Sequence, residues 1–260
     1  MLLASGEFNI NNNFIYELVF FRYRLMDYIY TAFHQANADG TPVLNPLWYN
    51  YPKDEATFPI DLQFFFGDSI LVSPVTEENS TSVTIYLPKD TFYDFNTMAP
   101  VQGQGANVTL HNIGFTHIPL HIKGGTVLPL RQNSTMSTTE LRKQDYQFVV
   151  APSTNGEASG YLYVDDGESV TPSSMTEATM SFKSGKLTVS GKFGYKAGVK
   201  VGSVRFLGVQ SQPNSVIIEG KKARENTWTY DASSKILDVV VALPFTGPFD
   251  VEYSYDSLFL

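Results

Sequence analysis

The chain has 260 residues, of which 43% are hydrophobic, 14% aromatic and 17% charged, a composition that supports a buried core and excludes a disordered protein. Its net charge of -8, with 18 Lys and Arg, argues against a nucleic-acid partner, because phosphate binding needs clustered positive charge. The lack of cysteine excludes disulfides, thiolate zinc sites and cysteine nucleophiles, and it leaves the redox compartment open.

The first strong periodic segment is helical. Residues 13–38 carry apolar and aromatic side chains at near-helical spacing without an internal Pro or Gly, which predicts a helix. Asp39-Gly40 supplies a left-handed stop and Pro42 forbids continuation. Residues 43–51 then predict a short extended segment, residues 61–67 a helical turn or a strand, and residues 69–75 a buried strand.

The pattern changes to short β-like runs after this point. Residues 83–87, 91–95, 116–122 and 126–130 form such runs, separated by Gly, Pro and Asn, and predict a small all-β unit. A polar Ser/Thr linker begins near Asn133, and nine further β-like runs predict a β-sandwich. They are residues 147–151, 160–164, 180–182, 186–193, 199–207, 215–219, 227–231, 237–243 and 249–253.

The N-terminal residues, the apolar runs and the glycosylation sequons indicate where the protein is located in or outside the cell. No apolar run reaches the ~20 residues that a membrane helix needs, so we expect no membrane span. Residues 1–6 lack a basic n-region and reach Glu7 early, so we expect no signal peptide in this chain. Three sequons place candidate glycosylation sites at Asn79, Asn107 and Asn133. They favour a secreted glycoprotein, with ordinary polar loops as the alternative.

Several segments resemble glycoside hydrolase family 31 and stand in that family's order. They are 22–25 (RYRL), 28–36 (YIYTAFHQA), 40–43 (GTPV), 46–48 (PLW), 61–68 (DLQFFFGD), 71–75 (LVSPV), 86–88 (YLP), 93–94 (YD), 118–119 (IP), 123–129 (KGGTVLP) and 160–169 (GYLYVDDGES). Two positions depart from the family pattern: Asp27 stands where a proline is common, and Asn45 where an arginine is common.

The resemblance implies a fold and a division into domains. We expect an α+β, mainly β chain: the end of a (β/α)8 barrel followed by two antiparallel β-sandwich-type domains. The barrel end covers residues 1–75, of which 1–13 match nothing and stay unassigned. A proximal β-domain covers residues 76–132, and a distal β-sandwich domain covers residues 133–260.

The resemblance also implies a function. The chain is similar to the C-terminal part of a retaining α-glucosidase that hydrolyses terminal α-linked glucose, extracellular in its whole form and without a cofactor. The family's catalytic carboxylates have no matching motif here, so no catalytic or substrate-binding residue is assigned and the chain alone is expected to be inactive. Its expected partners are the missing N-terminal catalytic part and, in the whole enzyme, an α-glucoside or starch-like oligosaccharide.

Two other functions stay open. One is a non-catalytic carbohydrate-binding β-module, in which Trp48, Tyr49, Tyr51, Phe92, Tyr93 or Phe95 would stack on sugar rings, although most of these aromatics are expected in the core. The other is an enzyme in its own right, with carboxylates drawn from Asp61, Asp94, Asp165 and Asp166.

The local motifs favour structural roles. Adjacent residues on a strand point to opposite faces, so Asp165-Asp166 before Gly167 is interpreted as a hydrogen-bonded turn, with a calcium site and a catalytic pair as alternatives. Asp61 is expected to accept backbone N–H groups ahead of an apolar run. No Asp or Glu recurs at a ligand spacing from the histidines, which predicts no metal site; these are His34, His111, His117 and His121. Gly124-Gly125 predicts a tight turn and lacks the ending of a phosphate loop.

Overall fold

The computed structural model describes residues 22–114 and 116–255. Helix α1 spans Met26–Asp39, and residues 22–24 before it are also helical. It ends at Gly40, whose φ of 82° is left-handed and whose N–H donates to the Ala36 carbonyl at 3.0 Å, which confirms the predicted stop. The predicted helical residues 13–21, the unassigned residues 1–13 and the first six residues lie outside the described part. No helix in that part is long and apolar enough to cross a membrane.

The first half of the chain builds two small sheets. Their strands are β1 Leu44–Pro46, β2 Phe64–Phe66, β3 Ile70–Val72, β4 Val83–Leu87, β5 Thr91–Asp94, β6 Pro100–Gln102, β7 Ala106–Leu110 and β8 Leu120–Lys123. Six of them form an antiparallel sheet in the order β1-β2-β3-β8-β5-β6, here called the small sheet. Strands β4 and β7 pair separately, antiparallel to each other.

The predicted extended segment 43–51 is only partly correct. Strand β1 ends at Pro46, and Leu47–Asn50 forms the short helix α2. The chain enters this turn from an extended Pro46, and the Tyr51 N–H closes it on the Leu47 carbonyl at 3.0 Å. A 3-10 turn follows at Glu55–Thr57, where the Asp54 carboxylate accepts the Ala56 N–H at 3.3 Å.

The second half forms one large sheet. Its strands are β9 Thr126–Arg131, β10 Tyr146–Ala151, β11 Ala158–Val164, β12 Thr176–Lys183, β13 Lys186–Phe193, β14 Lys200–Phe206, β15 Ser215–Ile218, β16 Lys221–Lys222, β17 Trp228–Asp231, β18 Ile236–Pro244 and β19 Phe249–Ser254. Helix α3 at Thr138–Leu141 and a 3-10 turn at Glu225–Thr227 lie between strands. Their order is β16-β15-β19-β13-β12-β11-β9-β10-β14-β18-β17. The expectation of purely antiparallel sheets is wrong at two pairings, because β10 with β14 and β9 with β11 are parallel.

The large sheet folds over on itself around an aromatic core. Strands β10 and β19 are not neighbours in the sheet, yet the rings of Phe148 and Phe249 stack with centroids 6.3 Å apart. Phe206 on β14 likewise meets Tyr253 on β19 at 5.2 Å. Such contacts require two inner faces, so the sheet has the layered packing of a sandwich. The chain is mainly β, as expected.

Strands β9 and β10 are buried on both faces. Val127, Phe148 and Val150 belong to the core inside the large sheet, whereas Leu128 and Val149 face a second core shared with α1 and the small sheet. This explains why residues 126–130 form an almost continuous apolar run without alternation. A third core, with Leu47, Phe65 and Phe92 among its members, lies against strand β4.

The sheets extend across the domain boundaries predicted from the sequence. The small sheet joins strands β1 to β3, from residues 1–75, with β5, β6 and β8, from residues 76–132. Strand β9 ends at Arg131, inside the range assigned to the proximal domain, and pairs with β10 in the large sheet. The three-part domain division stays a prediction, and its limits do not coincide with the edges of the sheets.

Candidate functional site

Helix α1 is fixed to the large sheet by a buried ion pair. The Arg131 Nε donates to Asp27 Oδ2 at 2.7 Å, and its Nη2 donates to Asp27 Oδ1 at 2.8 Å. Tyr146, the partner of Arg131 across β9 and β10, donates its hydroxyl to Asp27 Oδ1 at 3.0 Å. Burial opposes the charge of Arg131, but the neighbouring Tyr146 and Asp27 outweigh it and raise the pKa of the guanidinium. Asp27, a departure from the family pattern, is therefore part of the attachment of α1.

A second set of contacts holds residues 30–34 of α1. The Tyr30 hydroxyl donates to Asp165, lying 2.9 Å from each carboxylate oxygen, and the Gly167 N–H donates to Asp165 Oδ1 at 2.8 Å. The imidazole of His34 stacks on the ring of Tyr163, with centroids 3.6 Å apart and planes 5° apart. The Thr31 hydroxyl accepts the Tyr163 N–H at 3.1 Å. The side chains of Tyr30, Thr31 and His34 thus attach α1 to strand β11 and to the turn that follows it.

The four candidate carboxylates occupy separate structural positions. Asp165 is buried beneath Tyr30, whereas Asp166 is half-buried and accepts the Glu168 and Ser169 N–H groups. Hydrogen bonds from the side chain and backbone of Ser169 and from the backbone of Glu168 lower the pKa of Asp166 to about 2. This agrees with the interpretation of a hydrogen-bonded turn at Asp165-Asp166.

The other two carboxylates are elsewhere. Asp94 accepts the Asn96 and Thr97 N–H groups at 3.1 and 2.7 Å in its own turn. Asp61 is exposed and lines a shallow cleft of about 210 Å³ between β4 and the segment before β2. The expected backbone hydrogen bonds to Asp61 do not occur among the described residues. Asp94 and Asp166 accept hydrogen bonds within their own turns, and Asp165 accepts the Gly167 N–H as well as the Tyr30 hydroxyl. Among the described residues no hydrogen bond joins two of the four carboxylates.

The histidines have separate environments as well. His34 packs on Tyr163, His111 is exposed, and His117 lies within 3.0 Å of the Asn96 amide nitrogen. His121 is buried, and burial lowers its pKa. In the described ranges no three His, Asp or Glu side chains come together as a metal site would require. Gly124 and Gly125 form the turn between β8 and β9, as predicted, with Gly125 at φ 94°.

The aromatic candidates divide into core and surface residues. Phe92, Tyr93 and Phe95 are buried, as expected for core residues, and Tyr51 is half-buried, with its hydroxyl donating to Asp90 Oδ2 at 3.0 Å. Trp48 and Tyr49 on α2 are exposed. The three sequon asparagines are also exposed; these are Asn79, Asn107 and Asn133.

Large apolar side chains are exposed on α2 and in the segments that flank it in the sequence. We use the name apolar surface for five of them, which are 45–58% exposed within one stretch of 19 residues; these are Leu44, Trp48, Tyr49, Phe58 and Leu62. In the same stretch Asn45 Oδ1 and Asn50 Nδ2 are buried without a hydrogen bond to any described residue. Concentrated apolar exposure marks an interaction site in a folded protein. We regard the apolar surface as the candidate functional site.

The residues that attach α1 to the large sheet were not predicted from the sequence. Arg131 ends a run of five largely apolar residues and Tyr146 begins another, and each bonds to Asp27 more than 100 positions away. A charged residue that closes a fully buried strand is the signal that could have found this cluster, because a buried charge requires a partner.

The structure is that of a β-rich region with an attached helix and an exposed apolar surface. Residues 40–128 match the family model described as "Glycosyl hydrolase family 31 C-terminal domain". "Probable alpha/beta-glucosidase agdC" of Aspergillus fumigatus is 48% identical over 233 residues, which are 90% of this chain and 26% of that protein. "Alpha-glucosidase" of Schizosaccharomyces pombe is 32% identical over 89% of this chain and 24% of its own length.

Solved structures agree with these relatives. A glucosidase II alpha subunit superimposes with a TM-score of 0.76 and 27% identity over 90% of this chain and 28% of that chain. A family 31 dextranase of Flavobacterium johnsoniae, with 22% identity and a TM-score of 0.74, shares the fold. The chain belongs to glycoside hydrolase family 31 and corresponds to its C-terminal portion. It spans about a quarter of the length of the curated relatives described here.

Proposed function

We propose that this chain is the C-terminal part of a retaining α-glucosidase that hydrolyses terminal α-linked glucose. The observation that carries the proposal is the 48% identity to an alpha/beta-glucosidase over 90% of this chain and 26% of that protein. Residues 22–75, with α1 and the short strands after it, are then the end of the catalytic barrel. The whole enzyme acts on an α-glucoside or starch-like oligosaccharide and needs no cofactor.

The catalytic carboxylates come from the upstream part in this proposal. A retaining glycosidase needs two carboxyl groups about 5 to 5.5 Å apart, one as nucleophile and one as acid and base. Asp94, Asp165 and Asp166 are engaged in turns of their own, and Asp61 lies apart beside β4. The chain alone is therefore inactive, and its role is to support the barrel.

The apolar surface is the part that meets the upstream segment. Full burial of a large apolar side chain stabilises by about 1.5–3 kcal/mol relative to exposure, so five such side chains give a substantial driving force. The attachment through Asp27 and Arg131 fixes α1, which precedes this surface in the chain, to the large sheet. Binding of the upstream part covers Trp48 and Phe58 and completes the barrel.

The test is an activity assay with an aryl α-glucoside. Three samples are compared: this chain, the upstream three quarters of the Aspergillus fumigatus relative, and both co-expressed. We expect hydrolysis only in the co-expressed sample. Turnover by this chain alone contradicts the proposal, and lack of turnover in the co-expressed sample contradicts the assembly.

A pair of variants locates the contact. Phe58→Asp places a charge on the apolar surface and should reduce co-purification with the upstream part and the recovered activity. Val240→Asp is the matched control, because Val240 on β18 is exposed to the same degree and lies in the large sheet. Equal losses for the two variants would show that the apolar surface is not the contact.

We also propose that the parent enzyme is an extracellular glycoprotein. The exposure of the three sequon asparagines supports this, since a glycan needs an open surface; they are Asn79, Asn107 and Asn133. Secretion from yeast with an added signal peptide should give three glycans that an endoglycosidase removes. Each Asn→Gln variant should lose one glycan, and an unglycosylated wild type would contradict the proposal.

A second candidate function is a non-catalytic carbohydrate-binding β-module. The observation that favours it is a cleft in the large sheet, lined by aromatic and polar groups that include one lysine and one glutamate. Glucan binding without turnover in the complemented sample would support this function over the first.

A further inference from the structure

A cleft of about 550 Å³ lies where the two edges of the large sheet approach each other. One wall comes from β15 and the edge strand β16, and the opposite wall from the other edge strand, β17. The connection between β16 and β17 is short, which holds the two edges together. Its volume falls within the range of about 300–1,000 Å³ that is usual for small-molecule sites.

The aromatic wall is built by alternation along β17. Trp228 and Tyr230 are two residues apart, so they project to the same face of the strand. Both pack partly against the core of the large sheet. The Tyr230 hydroxyl donates to the Val209 carbonyl at 2.9 Å, which fixes the phenol ring. The wall is therefore preorganised and partly open.

The opposite wall carries an unused hydroxyl. Ser215 is 3% exposed, and its Oγ makes no hydrogen bond with any described residue. Buried polar atoms in folded proteins nearly always have a partner, so an orphan hydroxyl beside a cleft indicates a missing ligand or water. The neighbouring strand is held in place, because the Ala223 N–H donates to the Val216 carbonyl at 2.8 Å.

Three further polar side chains in the cleft are available. Gln212, Lys222 and Glu225 line it and form no hydrogen bond or ion pair within the described ranges, whereas the Asn214 amide donates to the Tyr255 carbonyl. One lysine and one glutamate cancel in charge, which disfavours a phosphate or a polyanion. Amide, hydroxyl and carboxylate groups together offer both donors and acceptors. This mixture suits a neutral ligand rich in hydroxyl groups.

We propose that this cleft binds a pyranose unit of a neutral α-glucan. The apolar face of the sugar ring stacks on the Trp228 indole, and the Ser215 Oγ and the Gln212 amide take ring hydroxyls as partners. The site lies on the large sheet and the apolar surface lies beside the small sheet. The inference deepens the second candidate function and requires no turnover.

The experiment uses the two tryptophans of the chain. In a Trp48→Phe background the only indole is Trp228, so its fluorescence reports the cleft directly. Titration of the 260-residue chain with maltoheptaose should shift the emission and saturate. An unchanged emission and no calorimetric heat up to about 10 mM, about tenfold above a 1 mM dissociation constant, would overturn the proposal.

Variants assign the binding to the cleft. Ser215→Ala removes one hydrogen bond, worth about 0.5–1.5 kcal/mol, and should weaken maltoheptaose binding by about 2- to 10-fold without loss of fold. Trp228→Leu should weaken it further in calorimetry, with circular dichroism to check folding. Ser190→Ala, on an exposed position of β13, is the matched control and should bind as wild type. Binding that Ser215→Ala and Trp228→Leu leave unchanged would place the sugar elsewhere and overturn the assignment.

This outcome is independent of the activity assay. Binding is measured on the chain without its upstream part, and hydrolysis is measured on the co-expressed sample. A failed titration thus leaves the α-glucosidase proposal standing, and a failed complementation leaves the cleft standing.

Discussion

Replacement of Asp27 by asparagine should destabilise the chain strongly. The change keeps the shape of the side chain but removes the charge that faces a guanidinium whose side chain is only 1% exposed. Arg131 would keep its charge, because a guanidinium stays protonated near neutral pH even without Asp27, one of the groups that raise its pKa in the folded chain. The variant thus leaves a buried cation without its anion.

The magnitude follows from the burial of the pair. Breaking one side of a buried ion pair costs about 3–5 kcal/mol, against a total stability of about 5–15 kcal/mol for a typical domain. Arg131→Met should cost a similar amount, because it leaves the Asp27 carboxylate without its cation and only the Tyr146 hydroxyl as a partner in the cluster. The double variant has no isolated charge, so its cost should fall below the sum of the single costs by about 1–3 kcal/mol.

Urea unfolding followed by circular dichroism measures these free energies. The matched control is Asp238→Asn, because Arg205 and Asp238 form the same two-bonded geometry, at 2.7 and 2.9 Å, with side chains 30% and 35% exposed. Screening by solvent limits that pair to about 0–1 kcal/mol. If Asp27→Asn and Asp238→Asn cost the same, burial does not determine the strength of the pair and the reasoning fails.

Three further outcomes are expected. Gly67→Ala should lower the free energy of unfolding, measured in urea, by more than about 1 kcal/mol, because Gly67 has φ 63° and a Cβ would lie 2.2 Å from the Tyr28 hydroxyl. Gly247→Ala is the control and should be nearly neutral, because the space around Gly247 is open. The lowered pKa of Asp166, about 2, gives stability that is present above pH ~4 and lost as the pH falls towards 2, so melting temperatures of Asp166→Asn should depend less on pH in that window. Burial lowers the pKa of His121, so NMR titration should place its midpoint below ~6.5, and stability is lost as the pH falls through this region; a midpoint above 6.5 would contradict the described environment.

The regular strands of the second half could be predicted from the sequence. Alternation and turn residues predicted residues 186–193 as a strand, and β13 has these bounds. Strands β6 and β7 were missed, because their side chains are mostly exposed and carry no apolar alternation. Helix α2 was missed because it has only four residues and propensity over so short a run is weak.

The candidate site was harder to predict than the fold. The apolar residues of α2 looked like core, and only the fold shows that Trp48 and Tyr49 face outward. The cluster around Arg131 joins residues 104 positions apart, a separation that no local pattern encodes. The cleft beside Trp228 likewise depends on two sheet edges meeting, which is a property of topology.

The attachment of α1 sets a limit on how this region can be divided. The helix contributes Asp27, Tyr30 and His34 to contacts with β9, β11 and the turn after β11, so it is joined to the large sheet as well as, through Tyr28, to the small one. A protein engineer who expresses a family 31 enzyme in two pieces should therefore keep α1 on the same piece as the large sheet. A cut after the helix would strip Arg131 of its counter-charge and expose Leu128 and Leu130 to water, so the shorter piece would be a poor candidate for expression.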